Sequence, residues 1–248
     1  MYQFFVEPEQ INKNNNTVTI VGSDVNHIRN VLRMRVGEEL SVSNGQDGKE
    51  YRCGIAEFLE DSIRCELRFV KEDGVELPVE VVLFQGIPKG DKMELIIQKA
   101  VELGVREIVP VAAKRCVVKL DDKKAASKVS RWRSIAEAAA KQSRRGMIPK
   151  VSPVTDFTAA TQRAAGMDVR LIPYELAEGM NRTRELFSGI RPGQQVAVFI
   201  GPEGGFEESE IAKAEMVGIE PITLGRRILR TETAGMTVLA WLGYLLEQ

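Results

Sequence analysis

"VEVVLFQGIPKGDKMELIIQKAVELGVREIVPV", residues 79–111, reads as strand, helix and strand in succession. VEVVLFQG is an apolar run of the length and composition of a buried strand. GDKMELIIQKAVELG follows as a helix, with Asp91 as expected N-cap, Glu94 completing a capping box and Gly104 as the C-terminal stop. VREIVPV is the second strand. Two strands joined by a crossover helix lie parallel, so the sheet they belong to should be largely parallel. The alternation continues downstream. A helix over 127–143 places Val129, Trp132, Ile135, Ala136 and Ala139 on one face. Strands at Val169–Pro173, 196–200 and 221–224 follow, with helices near 207–217 and over Thr231–Leu246.

Upstream the pattern differs. Segments Thr17–Val21, Glu39–Ser43, 51–58 and 63–70 alternate or run apolar, and NGQDG at 44–48 is a hairpin-type turn signal. One short helix over 23–32, containing HIRNVLRMR, interrupts them. The expectation is a small β-barrel over 1–72, a polar linker KEDGVELP at 71–78, and an α/β domain over 73–248.

Of the 248 residues, 44% are hydrophobic and 28% charged, the composition of a soluble globular protein. No apolar stretch has the length to span a bilayer, and Met1–Phe5 lacks the basic start and apolar core of a signal peptide. The three cysteines, Cys53, Cys65 and Cys116, suggest neither a disulfide framework nor a zinc site, so a reduced, cytoplasmic, metal-free protein is expected. A lone histidine, His27, excludes a histidine-rich metal centre. The net charge of −1 conceals a segment, residues 114–150, with a local charge of +9. That is the mark either of a solvated face or of an anionic polymer partner.

Ligands of open parallel sheets sit outside the carboxyl ends of strands. Three such ends stand out: LIPYE, FIGPEGG and LGRRILRTE. FIGPEGG has neither the Walker nor the dinucleotide glycine spacing, and Glu203 at its centre would repel a phosphate. A phosphate-free cation such as S-adenosylmethionine suits the loop, and so does a tight turn in which Glu203 caps the following helix. Arg226, Arg227 and Arg230 crowd a helix N-terminus, where positive charge is misplaced unless an anion or a buried carboxylate answers it.

FIGPEGGFEESE followed by LGRRILRTETA closely resembles the paired C-terminal signatures of the RsmE family, the small-subunit ribosomal RNA uridine N3-methyltransferases of the SPOUT class. HIRNVLRMRVGEEL resembles the PUA-like barrel of that family, and GIPKGDKMELIIQKAVELGV and RWRSIAEAAAKQS its central region. Two positions depart from the family pattern, Gly225-Arg226-Arg227 and Arg144. The resemblance implies an α/β trefoil knot, a homodimer with the site at its interface, and S-adenosylmethionine as methyl donor. It assigns the cofactor to Pro173, Tyr174, Ile200, Gly201, Gly204, Leu224, Gly225, Ile228 and Leu229, with Glu203 a candidate for the cationic end. Arg230 is implied as the group that stabilises charge on the uracil, and Glu232 as general base, helix capping being its competing role. RNA would lie against Arg29, Arg33, Arg35, Arg115, Arg144 and Arg145. A non-catalytic RNA-binding protein that keeps the fold is the alternative.

Overall fold

The alternation near the N-terminus folds into a sheet, described together with every other residue except Asp73, Glu178 and Gln248 in a computed structural model. Asp73 of the expected linker therefore lies outside the described residues. The chain divides into two units, one of Met1–Glu76 with Ala140–Ile148, the other of Leu77–Ala139 with Pro149–Gln248.

In the first unit, strands β1 (Gln3–Phe5), β2 (Ile11–Asn12), β3 (Thr17–Val21), β4 (Glu39–Ser43), β5 (Glu50–Phe58) and β6 (Ser62–Lys71) form one sheet. Its order is β1-β4-β5-β6-β3-β2, antiparallel except where β1 lies parallel to β4. Period-two alternation turns Val18, Ile20, Ile63 and Cys65 into one core with Ile28 and Tyr51. The turn at 44–48 is set by Asn44, whose Oδ1 accepts from the N–H groups of Gln46 and Asp47, both at 3.0 Å. The helix expected over 23–32 is α-helical only over Ser23–Asn26 (α1). It then widens into a π turn over His27–Val31, closed by the Leu32 N–H on the His27 carbonyl.

The second unit carries β7 (Glu80–Gly86), α2 (Lys92–Glu102), β8 (Glu107–Ala112), α3 (Asp122–Gln142), whose last residues belong to the first unit, β9 (Lys150–Val151), β10 (Thr155–Asp156) and α4 (Phe157–Ala164). It continues with β11 (Val169–Pro173), α5 (Met180–Ser188), β12 (Gln195–Ile200), α6 (Glu208–Met216), β13 (Glu220–Ile222) and α7 (Thr231–Leu246). All pairings in this sheet are parallel, in the order β10-β8-β7-β12-β11-β13, with β9 also on β8. The central strands β7 and β12 are buried almost throughout, and Phe84 stacks on Phe199 at 4.4 Å between centroids. Such a pair contributes about 0.5–1.5 kcal/mol beyond its burial.

Helix α2 buries Met93, Ile96, Ile97, Ala100 and Val101, and α7 buries Thr231, Ala234, Gly235, Val238, Leu239 and Leu242. Both sets follow the three-and-four spacing of one helix face, and the two helices pack on each other. Gly104 ends α2 at φ +90°, with the Val105 N–H returning to the Ala100 carbonyl at 3.0 Å. The capping box at the other end does not form. Asp91 makes no side-chain cap bond, and Glu94 turns to Arg131 on α3 at 2.7 Å. No helix among the described residues is long and apolar enough to cross a membrane.

Candidate functional site

Three loops leave the sheet side by side. The chain exits β11 through Pro173 and Tyr174, β12 through the 201–206 glycine loop, and β13 through the arginine-bearing segment that enters α7. They enclose a cavity of about 540 Å³, within the range of small-molecule sites. All ten residues assigned from the sequence to a cofactor line it: Pro173, Tyr174, Ile200, Gly201, Glu203, Gly204, Leu224, Gly225, Ile228 and Leu229. Arg226, Arg227 and Arg230 also line it.

Tight packing builds the floor. Gly86 ends β7 where a Cβ would lie 2.6 Å from the Pro202 ring and 2.7 Å from its nitrogen, so only glycine lets the loop approach. Gln85 is fully buried beside it. Its Nε2 donates to Thr231 Oγ1 at 2.9 Å, and that hydroxyl donates to the Gly201 carbonyl at 2.6 Å. Thr231 thus ties the start of α7 to the glycine loop instead of capping its own helix.

The segment before α7 is irregular, and this is chemically informative. Among the described residues, the main-chain N–H and C=O groups of Leu224 and of residues 226–229 meet no hydrogen-bonding partner. These residues line the cavity and 226–228 are exposed, so their main-chain groups are open to solvent or to a ligand. Arg226, Arg227 and Arg230 are exposed, and none forms an ion pair among the described residues.

Glu203 differs from the expectation. Its carboxylate accepts from Lys92 Nζ at 2.9 Å and from the Lys89 N–H at 3.1 Å, so its charge is already answered inside the protein. Burial alone would raise this carboxyl; Lys92 and main-chain N–H donors outweigh it and hold the group below its ordinary value. Repulsion of phosphate by Glu203 is correspondingly weaker than the bare sequence suggests. Glu232 does not line the cavity. Its Oε2 is buried, has no hydrogen-bond partner among the described residues, and lies 3.8 Å from Lys92 Nζ.

Lys92, Gln85 and Gly86 are site residues that sequence reading did not single out, and Thr231 reads there only as suited to the start of its helix. The signal for the first three was available, because they cluster at the carboxyl end of β7, a fourth strand end.

The expected RNA-facing arginines separate by environment. Arg33, Arg35 and Arg144 are exposed. Arg29 is half-buried, donating to the Leu59 and Glu60 carbonyls and lying over the Phe58 ring. Arg115 is exposed but donates to the Gly204 carbonyl at 2.8 Å, which links it to the glycine loop. Arg145 must be removed from the group. Only 3% exposed, it forms an ion pair with the half-buried Glu76, which also accepts the Gly146 N–H at 3.1 Å. A guanidinium withdrawn from solvent and paired in this way cannot reach a phosphate. The rest of the +9 segment is also partly engaged, through Lys114–Glu207, Lys124–Asp121 and Arg131–Glu94.

Comparison with known proteins agrees with both units. Residues 75–243 match the RNA methyltransferase domain family, and residues 20–67 match the RNA methyltransferase PUA domain. The ribosomal RNA small subunit methyltransferase E of Bacillus subtilis is 38% identical over 252 aligned residues, covering 100% of this chain and 98% of that protein. The crystal structure of the Neisseria gonorrhoeae ribosomal RNA small subunit methyltransferase E bound to S-adenosylmethionine superposes with a TM-score of 0.81. It is 33% identical, with 99% of this chain and 98% of that chain covered. A methyltransferase structure from Legionella pneumophila with bound S-adenosylmethionine superposes at 0.76, with 32% identity over 98% of this chain and 96% of that one. At these identities and with near-complete coverage, the chain belongs to the ribosomal RNA small subunit methyltransferase E family.

Proposed function

We propose that the protein transfers a methyl group from S-adenosylmethionine to N3 of a uridine in small-subunit ribosomal RNA. The observation that carries this reading is the cavity, whose wall unites every residue assigned to the cofactor with Arg230. The wall suits a nucleoside bearing an amino acid. Unpaired main-chain groups at Leu224 and 226–229 offer hydrogen bonds to its polar edges, and Gly201 and Gly204 allow close approach. When bound, S-adenosylmethionine supplies a methyl group activated on a sulfonium.

The residues of the chain do the rest. Positioning base and donor in line provides much of the rate. Arg230 lines the cavity, its guanidinium unpaired among the described residues, and in this reading it holds a uracil carbonyl oxygen as negative charge grows with loss of the N3 proton to water. Glu232, off the cavity wall with one oxygen buried, serves the N-terminus of α7 in this reading rather than acting as general base. Arg33, Arg35 and Arg144, with Arg29 and Arg115 in supporting contacts, meet phosphates, and the target base leaves its stack to enter the cavity.

The same reading has the enzyme act in the cytoplasm as a homodimer, with its last strand and helix threaded into a knot. The exposed apolar side chains Leu95 on α2 and Tyr244 and Leu245 on α7 support the dimer. The test is mass spectrometry of ribosomal RNA from cells with and without the gene. Loss of one N3-methyluridine from small-subunit RNA is expected. An unchanged nucleoside profile, with cofactor still bound in vitro, would instead favour a non-catalytic RNA-binding protein.

A further inference from the structure

We propose that Lys92 is a positioning residue, a latch that holds the 201–206 loop closed over the cofactor cavity and thereby sets cofactor affinity. The proposal rests on the assignment of that cavity to S-adenosylmethionine. Three segments with no sequence proximity meet at this one ammonium. Lys92 opens α2; its Nζ donates to Glu203 at the tip of the glycine loop at 2.9 Å and lies 3.8 Å from Glu232 in the first turn of α7. The Lys89 N–H adds bonds of 3.1 and 3.3 Å to the two Glu203 oxygens, so the loop tip is gripped by the start of α2 through both main chain and side chain.

An isolated surface ion pair contributes little. Two features set this one apart. The side chains of Lys92, Glu203 and Glu232 are only 33%, 28% and 19% exposed. Glu232 Oε2, without any hydrogen-bond donor of its own among the described residues, has Lys92 as the cation set against it. Removing the ammonium leaves the Glu203 and Glu232 carboxylates without the cation they share, and the cheapest relief is for the loop to swing away. Few bonds oppose that movement. From outside, the loop is otherwise held by the Lys89 N–H on Glu203, by Arg115 on Gly204 and by Thr231 on Gly201, while the Gly205 N–H closes on the Pro202 carbonyl within it.

The experiment compares the wild type with Lys92→Met, Lys92→Arg and Glu203→Gln. Hydrogen exchange is read first, without cofactor. Lys92→Met should speed exchange of the Gly205 amide by about tenfold or more, because the loop opens locally rather than globally. Calorimetry should then show S-adenosylmethionine binding at least about tenfold weaker, the loss falling on KM for the cofactor more than on kcat. Lys92→Arg, which keeps the charge, recovers most of both. The double variant Lys92→Met/Glu203→Gln loses no more than Lys92→Met alone, since both changes break one contact. Should Lys92→Met fold poorly, Glu203→Gln preserves size and reads out the same latch. Unchanged exchange and affinity in Lys92→Met would overturn the proposal. So would an unaltered affinity with a fall in kcat alone, which would move Lys92 to the chemical step. A wild type that binds no S-adenosylmethionine overturns the cavity assignment instead, and the exchange arm still tests the latch.

Discussion

Gly86→Ala is the sharpest probe of how the site is built. The glycine needs no unusual backbone angle, so the substitution tests space alone. An added Cβ would meet Pro202 Cδ at 2.6 Å, the Pro202 nitrogen at 2.7 Å and the Gly201 carbonyl carbon at 3.1 Å. None of these is the free end of a flexible side chain. Pro202 is buried and the Gly201 carbonyl is held by Thr231, so relief requires the whole glycine loop to shift. Overpacking of this kind costs about 1–3 kcal/mol. A cost near 2 kcal/mol in a unit of this size lowers Tm by roughly 4–8 °C. If the displaced loop must return to its place to bind cofactor, the same energy weakens S-adenosylmethionine by about 5- to 150-fold. Scanning calorimetry and titration calorimetry read the two quantities, with Gly166→Ala as control because a Cβ there meets nothing within 4 Å. Normal melting and normal affinity in Gly86→Ala would refute the close approach of β7 to the glycine loop.

Arg230→Ala should lower turnover by about a hundredfold or more, the scale for loss of one charge-stabilising donor, with lysine rescuing only in part. Single-turnover methylation beside thermal unfolding and dimer mass checks it, and equal loss of activity and folding would make the residue structural. Arg144→Ala should leave stability unchanged and flatten the salt dependence of RNA binding. Arg145→Ala should instead destabilise by about 1–3 kcal/mol, because Glu76, partly withdrawn from solvent, loses its guanidinium partner and keeps only main-chain N–H donors; chemical denaturation separates the two. The Glu107 carboxyl would be raised by its burial, but hydrogen bonds from Arg163 and Ser152 hold it below its ordinary value of 4.5. A depressed folded value gives stability that is complete above the unfolded value and lost as pH falls through the folded one. Glu107→Gln should therefore flatten the fall in Tm below about pH 4.5, and an unaltered acid limb would count against the pairing.

What the sequence settled is what local chemistry can settle. Helix α7 and strands β3, β4 and β11 fall on the residues expected from periodicity and their flanking breakers, since a buried face at regular spacing is written within a dozen neighbours. The three strand-end loops were equally legible, and so was the parallel sheet, because glycines, prolines and crowded arginines mark where an apolar run must stop. Strands β1, β2, β9 and β10 were not legible. Two or three residues hold no period, and they are strands only because partners far along the chain pair with them. Helices α4 and α5 escaped for a related reason, being short, with α5 burying only Thr183 and Phe187.

Tertiary structure decided the fate of the charges. Arg145 is an anchor because Glu76, 69 residues earlier, lies against it in the fold. Glu94 leaves its expected cap for Arg131, 37 residues away, and Glu203 answers to Lys92, 111 residues away. A charged side chain reads the same in sequence whether it will be solvated or buried. Its role follows from the partner that packing brings within about 4 Å, where Coulomb attraction in a partly desolvated setting exceeds what water would offer.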